Sequence, residues 1–332
     1  YTRIYAKLKG DGITAETLEN SPEPQSGAAA LKKMILLTLP IALTSLTVNI
    51  PPMIDALTVK SGLEGLINGG TDLRGIYRSV FENGDMPDLS AFPVLLYGIR
   101  GKAYTVFNLV PAFTSVIGVG AVPAIAAAAA RGNTAELKKN INTVLKTAAL
   151  ISLPAACGLI AIGGRITDFL YDTEASAVIG GEMLTVYGLA ALFAGFLVPL
   201  GGILQAVGRQ NAVLLNTAAG TAVKLIVNII AVSVPKINVM GSALGTVLCF
   251  FVIFLLDIAV LIKAVGFAPD SVNVFLKPLA SAAFCGLAAR LTVMLGSSRG
   301  VTLLAVFAAA LVYAALIIAL KTVSESDFPD SD

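Results

Sequence analysis

Apolar runs near the 20 or so residues that an α-helix needs to cross hydrocarbon recur along this chain, and they limit its fold more than any motif does. They fall at about 34–59, 103–129, 141–163, 182–206, 211–233, 241–264, 277–296 and 301–320. The runs are continuous rather than alternating, and a helix satisfies its own backbone hydrogen bonds in lipid, so helices are expected rather than strands. Charged residues make up 13% of the sequence against 56% hydrophobic, where a soluble domain carries about 25% charged. A water-soluble fold has too little interior to hide that excess. The expected fold class is an all-α integral membrane protein of about eight transmembrane helices. Gly, Ala and Ser within the runs suit close helix packing, and Pro40, Pro51, Pro111, Pro123 and Pro154 should kink or break several spans.

Several function classes are disfavoured at once. Net charge is +2, with no broad basic surface for nucleic acid. The absence of His removes the commonest general base and metal ligand, so zinc hydrolysis and Ser-His chemistry are hard to build. No metal, cofactor or catalytic residue is expected, and the chain reads as a non-enzyme. Cys157, Cys249 and Cys285 are isolated inside apolar runs and read as small lipid-facing or core residues. Basic residues in the short loops set the orientation: Lys32, Lys33, Arg131, Lys138, Lys139, Arg209, Lys263, Lys277 and Lys321 fall on one side, so both ends are expected in the cytoplasm. The 60–102 segment, with Lys60, Arg74, Arg78, Arg100 and Lys102 against Glu64, Asp72, Glu82, Asp85 and Asp88, is read as a long loop.

Polar residues inside spans are the informative ones, because a charge at the bilayer centre costs about 2.5–3.5 kcal/mol on insertion scales. In the fifth span Thr217, Thr221, Lys224 and Asn228 share one helical face. Either Lys224 pairs with a buried carboxylate or carbonyl, or the stripe lines a water-filled cavity, and the lining role is the leading reading. Asp257 is the obvious partner, but helix rise puts it about 10 Å deep against about 20 Å for Lys224, which disfavours a direct pair. Ser45, Asn49 and Asp55 in the first span, and Asn108 with the nearby Arg100 in the second, line the same cavity or make helix–helix hydrogen bonds. Arg290 in the seventh span reads as a snorkelling cation.

The order of short motifs then becomes informative. Ile54-Asp55-Ala56-Leu57, Leu96-Tyr97-Gly98, Val122-Pro123-Ala124-Ile125 before Arg131-Gly132-Asn133, Leu153-Pro154-Ala155-Ala156-Cys157-Gly158-Leu159, Leu204-Gln205-Ala206-Val207-Gly208-Arg209 and Val223-Lys224-Leu225-Ile226-Val227-Asn228 together resemble the stage V sporulation protein B group of polysaccharide transporters, over about residues 30–320. That group lies in the superfamily of multidrug exporters, oligosaccharide-lipid flippases and lipid II flippases. The sequence departs from its relatives at Ser61-Gly62-Leu63, where an Arg-Leu pair is usual. The resemblance implies a cytoplasmic linker at 1–33, the second six-helix lobe of a two-lobe transporter at 34–264, two further helices at 265–320, and a cytoplasmic tail at 321–332. An N-terminal lobe of the same protein is expected to be missing. The function implied is translocation of a lipid-linked sugar pyrophosphate, such as a peptidoglycan precursor, across the cell membrane by alternating access among membrane lipids. The alternatives are an ion-coupled exporter of cationic compounds and, further off, a membrane polymerase or glycosyltransferase.

Overall fold

The computed structural model describes residues 26–81, 86–171, 173–320 and 322, the side chains of residue 33 and residues 36–49 excepted. Two compact units divide the chain, Tyr1–Ala42 and Leu43–Asp332. Among the described residues every regular element is helical. The long helices are α1 Gly27–Asn68, α2 Phe92–Ala130, α3 Thr134–Leu170, α4 Glu174–Ala206, α5 Gln210–Val232, α6 Met240–Val265, α7 Lys277–Val293 and α8 Arg299–Ala319. Of these, the seven from α2 to α8 are long and apolar enough to cross a membrane, α7 together with the π-helical turn Val272–Leu276 that leads into it. Each holds one expected apolar run, but α2 begins about three turns before its run, α4 about two turns before, and α3 extends about two turns beyond its run at both ends. The first run lies inside α1, much of it among side chains outside the described set.

The segment expected as a long loop at 60–102 is shorter than that. Residues up to Asn68 continue α1, and α2 already begins at Phe92, leaving a one-turn helix Leu73–Ile76 and two 3-10 turns between them. Charges end a hydropathy run without ending a helix, and on α1 Lys60 and Glu64 pair across one turn at 3.7 Å. The linker reading at 1–33 is trimmed likewise, because α1 starts at Gly27 on a run of strong helix formers, with the Ser26 hydroxyl accepting the Ala29 amide at 3.3 Å. The tail expected at 321–332 lies outside the described residues apart from Thr322.

None of the described prolines breaks its helix. Pro111 and Pro123 lie inside α2 and Pro154 inside α3. The one non-helical residue within α3 is Ile162, at φ −132° and ψ 23°. Arg290 reaches across from α7 and donates to the Ala161 carbonyl beside that kink at 3.2 Å. This contact joins α7 to α3, and Arg290 is otherwise exposed.

Packing in Leu43–Asp332 centres on α4, which touches α2, α3 and α6. Gly181, Gly188 and Gly195 recur every seven residues on its α3-facing side. A Cβ there would sit 2.5 Å from Gly164 Cα, 2.7 Å from Ile160 Cγ1 and 2.2 Å from Ser152 Cβ respectively. Backbones that approach so closely gain dispersion contacts where lipid supplies no hydrophobic drive. The seam between α5 and α6 is built the same way, with Gly220 against Ile253 and Gly241 against the backbone of Ala231 and Val232. One apolar core gathers Val59, Leu63, Leu96, Phe107 and Tyr187; a second gathers Leu145, Phe196 and Leu200; a third joins α7 and α8 to α3 through Ile162, Cys285, Ala289 and Ala305. Cys157, Cys249 and Cys285 are unpaired thiols.

Helix α3 is a single pass of 37 residues, about 55 Å of rise, so its two flanking turns lie at opposite ends of the bundle. Single cysteines at Asn133 and Thr173, in a chain cleared of its three native thiols, should therefore label with an impermeant maleimide from opposite sides of the membrane. Labelling of both from one side would contradict this threading.

Candidate functional site

Helix α5 carries Val213, Asn216, Thr217, Gly220, Thr221, Lys224 and Asn228 at spacings of three and four, and all seven are buried. A polar stripe is thus turned inward, as an apolar exterior requires. Its centre is Lys224, which is 0% exposed. Lys224 Nζ donates to Asp55 Oδ2 at 2.7 Å and to Thr246 Oγ1 at 2.9 Å. Arg100 Nη2 donates to the same Asp55 Oδ2. Asn228 Nδ2 bridges Asp55 Oδ1 at 2.8 Å and Thr58 Oγ1 at 3.0 Å. The Thr58 and Thr246 hydroxyls spend their own protons on the Ile54 and Ser242 carbonyls, so both present lone pairs to the cluster. Helices α1, α2 and α5 meet at one carboxylate, and α6 joins the cluster through Lys224.

Aromatic rings wall the Arg100 side. The guanidinium carbon lies 4.5 Å from the Tyr104 ring centroid and 5.9 Å from that of Tyr97, a placement in which the ring quadrupole attracts the cation. Tyr104 then meets Tyr187 edge to face, and Phe107 stacks on it. Lys224 lies eight residues from the end of α5 and Thr246 six from the start of α6, about 9–12 Å from the turn that joins them. Above that end the Tyr77 hydroxyl donates to Asn238 Oδ1, binding the α1–α2 segment to the α5–α6 turn. Burial pushes the Tyr77 phenol well up from its usual range, so it remains a donor.

The structure brings together four candidates named from the sequence, Asp55, Arg100, Lys224 and Asn228. Thr217 and Thr221 lie buried on the same stripe. Asn108 is exposed on α2 and takes no part, and the side chains of Ser45 and Asn49 lie outside the described residues. In this conformation Lys224 has the buried carboxylate partner that was the second of its two readings, and the partner is Asp55. Asp257 sits toward the opposite end of α5 and α6, where it accepts from Asn216 Nδ2 at 2.8 Å. Sequence reasoning missed Thr58, Thr246 and Asn216. Thr58 lies one turn from Asp55, a spacing that could have flagged it, whereas Thr246 had no signal beyond being polar in an apolar helix. An open surface groove of about 440 Å³ lies elsewhere, lined by Arg165, Asp168, Glu182 and Thr185 of α3 and α4. Among the described residues no three His, Cys, Asp or Glu side chains are placed to hold a metal ion.

Comparison with known proteins fits this geometry. Residues 100–230 match the MatE family model. The chain is 26% identical over 247 residues to the uncharacterized membrane protein YabM of Bacillus subtilis (strain 168), covering 74% of this chain and 41% of that protein. It is 24% identical over 158 residues to the lipid II flippase MurJ of the same organism, covering 46% of this chain and 28% of that one. A solved structure of lipid II flippase MurJ, in an inward closed conformation, superposes with a TM-score of 0.58 at 20% identity, over 68% of this chain and 47% of that chain. The chain thus spans less than half the length of each of these proteins, and it shares the helical fold of the solved structure.

Because buried Asp55 accepts from both Arg100 and Lys224, its removal strands both donors. Asp55→Ala should lower stability by about 3–5 kcal/mol, the cost of breaking a buried pair from one side. Thermal unfolding in lipid nanodiscs measures this, with Asn108→Ala as a neutral control. An unchanged melting temperature for Asp55→Ala would show that the cluster holds nothing together.

Proposed function

We propose that this chain is one lobe of a transporter that turns an anionic, lipid-linked sugar or peptidyl-sugar diphosphate across the cell membrane by alternating access. One observation carries the reading: a membrane-embedded cluster in which two cationic side chains, Arg100 and Lys224, share one carboxylate. Such a site is biased toward anions, because a diphosphate meets a ready cation where water is scarce and Coulomb attraction is strong. The MatE match and the likeness to a protein named lipid II flippase support transport rather than enzymatic chemistry. In this reading α1 to α6, residues 34–264, form a six-helix lobe, α7 and α8 are an added pair, both ends are cytoplasmic, and a second lobe completes the pathway. The stage V sporulation protein B group is the branch we assign it to.

The cluster is enclosed in this conformation, so Lys224, Asn228, Thr221 and Thr217 line the pathway only in another state of the cycle, with Arg100 and Asp55 at its edge. Ser45, Asn49 and Asn108 are proposed on the same α1 and α2 surface. Export of cationic compounds fits less well. It needs carboxylates open to a ligand cation, and Asp55 is already occupied by the chain's own cations.

Complementation of a flippase-deficient strain by the complete two-lobe protein tests the reading. Arg100→Gln should lower precursor turnover about tenfold or more, equivalent to roughly 1.4 kcal/mol of lost interaction, at equal membrane abundance, and Arg100→Lys should keep part of it. Full turnover by Arg100→Gln would remove the anion-binding role, and a selective loss of cationic dye efflux would favour the exporter instead.

A further inference from the structure

Helix α3 has two backbone irregularities inside its span, and α7 and α8 supply a donor at each. Pro154 removes the amide from which the Leu150 carbonyl would accept in a regular helix, and its ring crowds that carbonyl. A carbonyl without a donor is costly in lipid, so a span with an internal proline needs a neighbouring helix to satisfy it. The Tyr313 hydroxyl of α8 donates to the Leu150 carbonyl at 2.8 Å. About two turns beyond Pro154, Ile162 leaves helical geometry, and Arg290 Nη1 of α7 donates to the adjoining Ala161 carbonyl at 3.2 Å. Between the two irregularities α7 lies against the α3 backbone, where a Cβ on Gly286 would fall 3.0 Å from the Cys157 carbonyl oxygen. Past the kink, Arg165 Nη2 reaches the α7–α8 turn and donates to Ser297 Oγ at 3.1 Å.

We propose that α7 and α8 are a clamp on a hinge in α3, with residues 150–162 as the hinge and Tyr313 and Arg290 as the positioning residues that set its bend. One rung of the backbone ladder is missing at Pro154 and the helix leaves its path at Ile162, so α3 resists bending least between them. Each irregular carbonyl is bonded to a side chain of another helix. α3 therefore bends further only if that side chain follows or lets go. Arg165 ties residues 163–170 to the α7–α8 turn, so that section and the turn travel together. The same section walls the groove in which Gly164, Arg165 and Asp168 face Gly181, Glu182 and Thr185 of α4. Bending at the hinge changes the width of that groove, while the earlier part of α3 stays packed on α4 where Ser152 meets Gly195. That the motion serves an access cycle rests on the transport reading given above, whereas the hinge and its clamp do not.

A clamp differs from ordinary packing in one respect: the need for the Tyr313 hydroxyl arises from Pro154. An amide restored at position 154 lets α3 satisfy the Leu150 carbonyl within itself, and the hydroxyl then has nothing to supply.

Spin labels on Lys139→Cys and Leu170→Cys, both exposed and about 45 Å of helix rise apart, flank the hinge. Double electron–electron resonance in lipid nanodiscs, on a chain whose three native cysteines are replaced by alanine, reads the bend as a distance. The parent should give one narrow distance, and Tyr313→Phe and Arg290→Met should each broaden it or add a second. Combining Pro154→Ala with Tyr313→Phe should restore a narrow distribution. Parent-like distances in both single variants would overturn the clamp. Equal broadening by Tyr313→Phe with proline or alanine at 154 would show that the ring packs and the hydroxyl holds nothing, which would overturn the role assigned to Tyr313. Should Tyr313→Phe not reach the membrane, Arg290→Met, on the exposed face of α7, decides the clamp by the same readout. In the complete two-lobe protein Pro154→Ala stiffens the hinge and should lower precursor turnover about fivefold at equal membrane abundance. Full turnover by Pro154→Ala would remove the hinge from the access cycle. A parent protein that turns over no precursor would refute the transport reading instead, and the distances, which need no substrate, would still decide the clamp.

Discussion

A charge in hydrocarbon has to be matched by protein, because no water is there to do it, and most of what is distinctive in this chain follows from how Asp55 is matched. Its two oxygens accept from side chains on two other helices, and the Thr246 hydroxyl on a third, α6, completes the shell around Lys224. No one of these contacts would survive alone in lipid. Together they fix the rotation of α1, α2, α5 and α6 about their own axes, since turning any one by a residue would carry its polar group onto an apolar face.

That fixing relies on close backbones. The α5–α6 seam narrows at Gly220, Gly241 and Gly245, and at Gly245 an added Cβ would fall 2.3 Å from Asn228 Oδ1. The glycine leaves the space in which Asn228 turns toward Asp55. The heptad glycines of α4 act on the other side, bringing α3 close enough to build the enclosed interior on which α2 packs. Small residues in this chain thus serve the polar cluster as well as the packing.

Much of the helical plan was legible because lipid imposes one rule, a run of about 20 apolar residues, and α2 to α8 obey it. The ends were not, because Lys60, Glu64 and Arg100 stop a hydropathy run while the helix continues through them. For the site, the spacing of Thr217, Thr221, Lys224 and Asn228 identified one buried face, and charge alone marked Asp55 and Arg100. What sequence could not give was which partner faces Lys224. Depth counting disfavoured Asp257, correctly, but the encounter with Asp55 is 169 positions away in sequence and depends on helix rotation. Thr58 and Thr246 stayed hidden for a related reason: a hydroxyl bonded to its own helix carbonyl looks unremarkable until something presents a donor to its remaining lone pair.

The most direct measure of whether Asp55 organises the bundle is a double-mutant cycle with Arg100, read from unfolding free energies of the chain in a common detergent. Asp55→Asn and Arg100→Gln singly each leave an opposite charge buried and unmatched, whereas the double variant leaves none from that pair. A coupling energy of about 2–3 kcal/mol, with the double variant more stable than the sum of the singles implies, is the expected result. Losses that add to within about 0.5 kcal/mol would mean that the two side chains do not depend on each other, and the four-helix cluster would lose its standing as the organising contact.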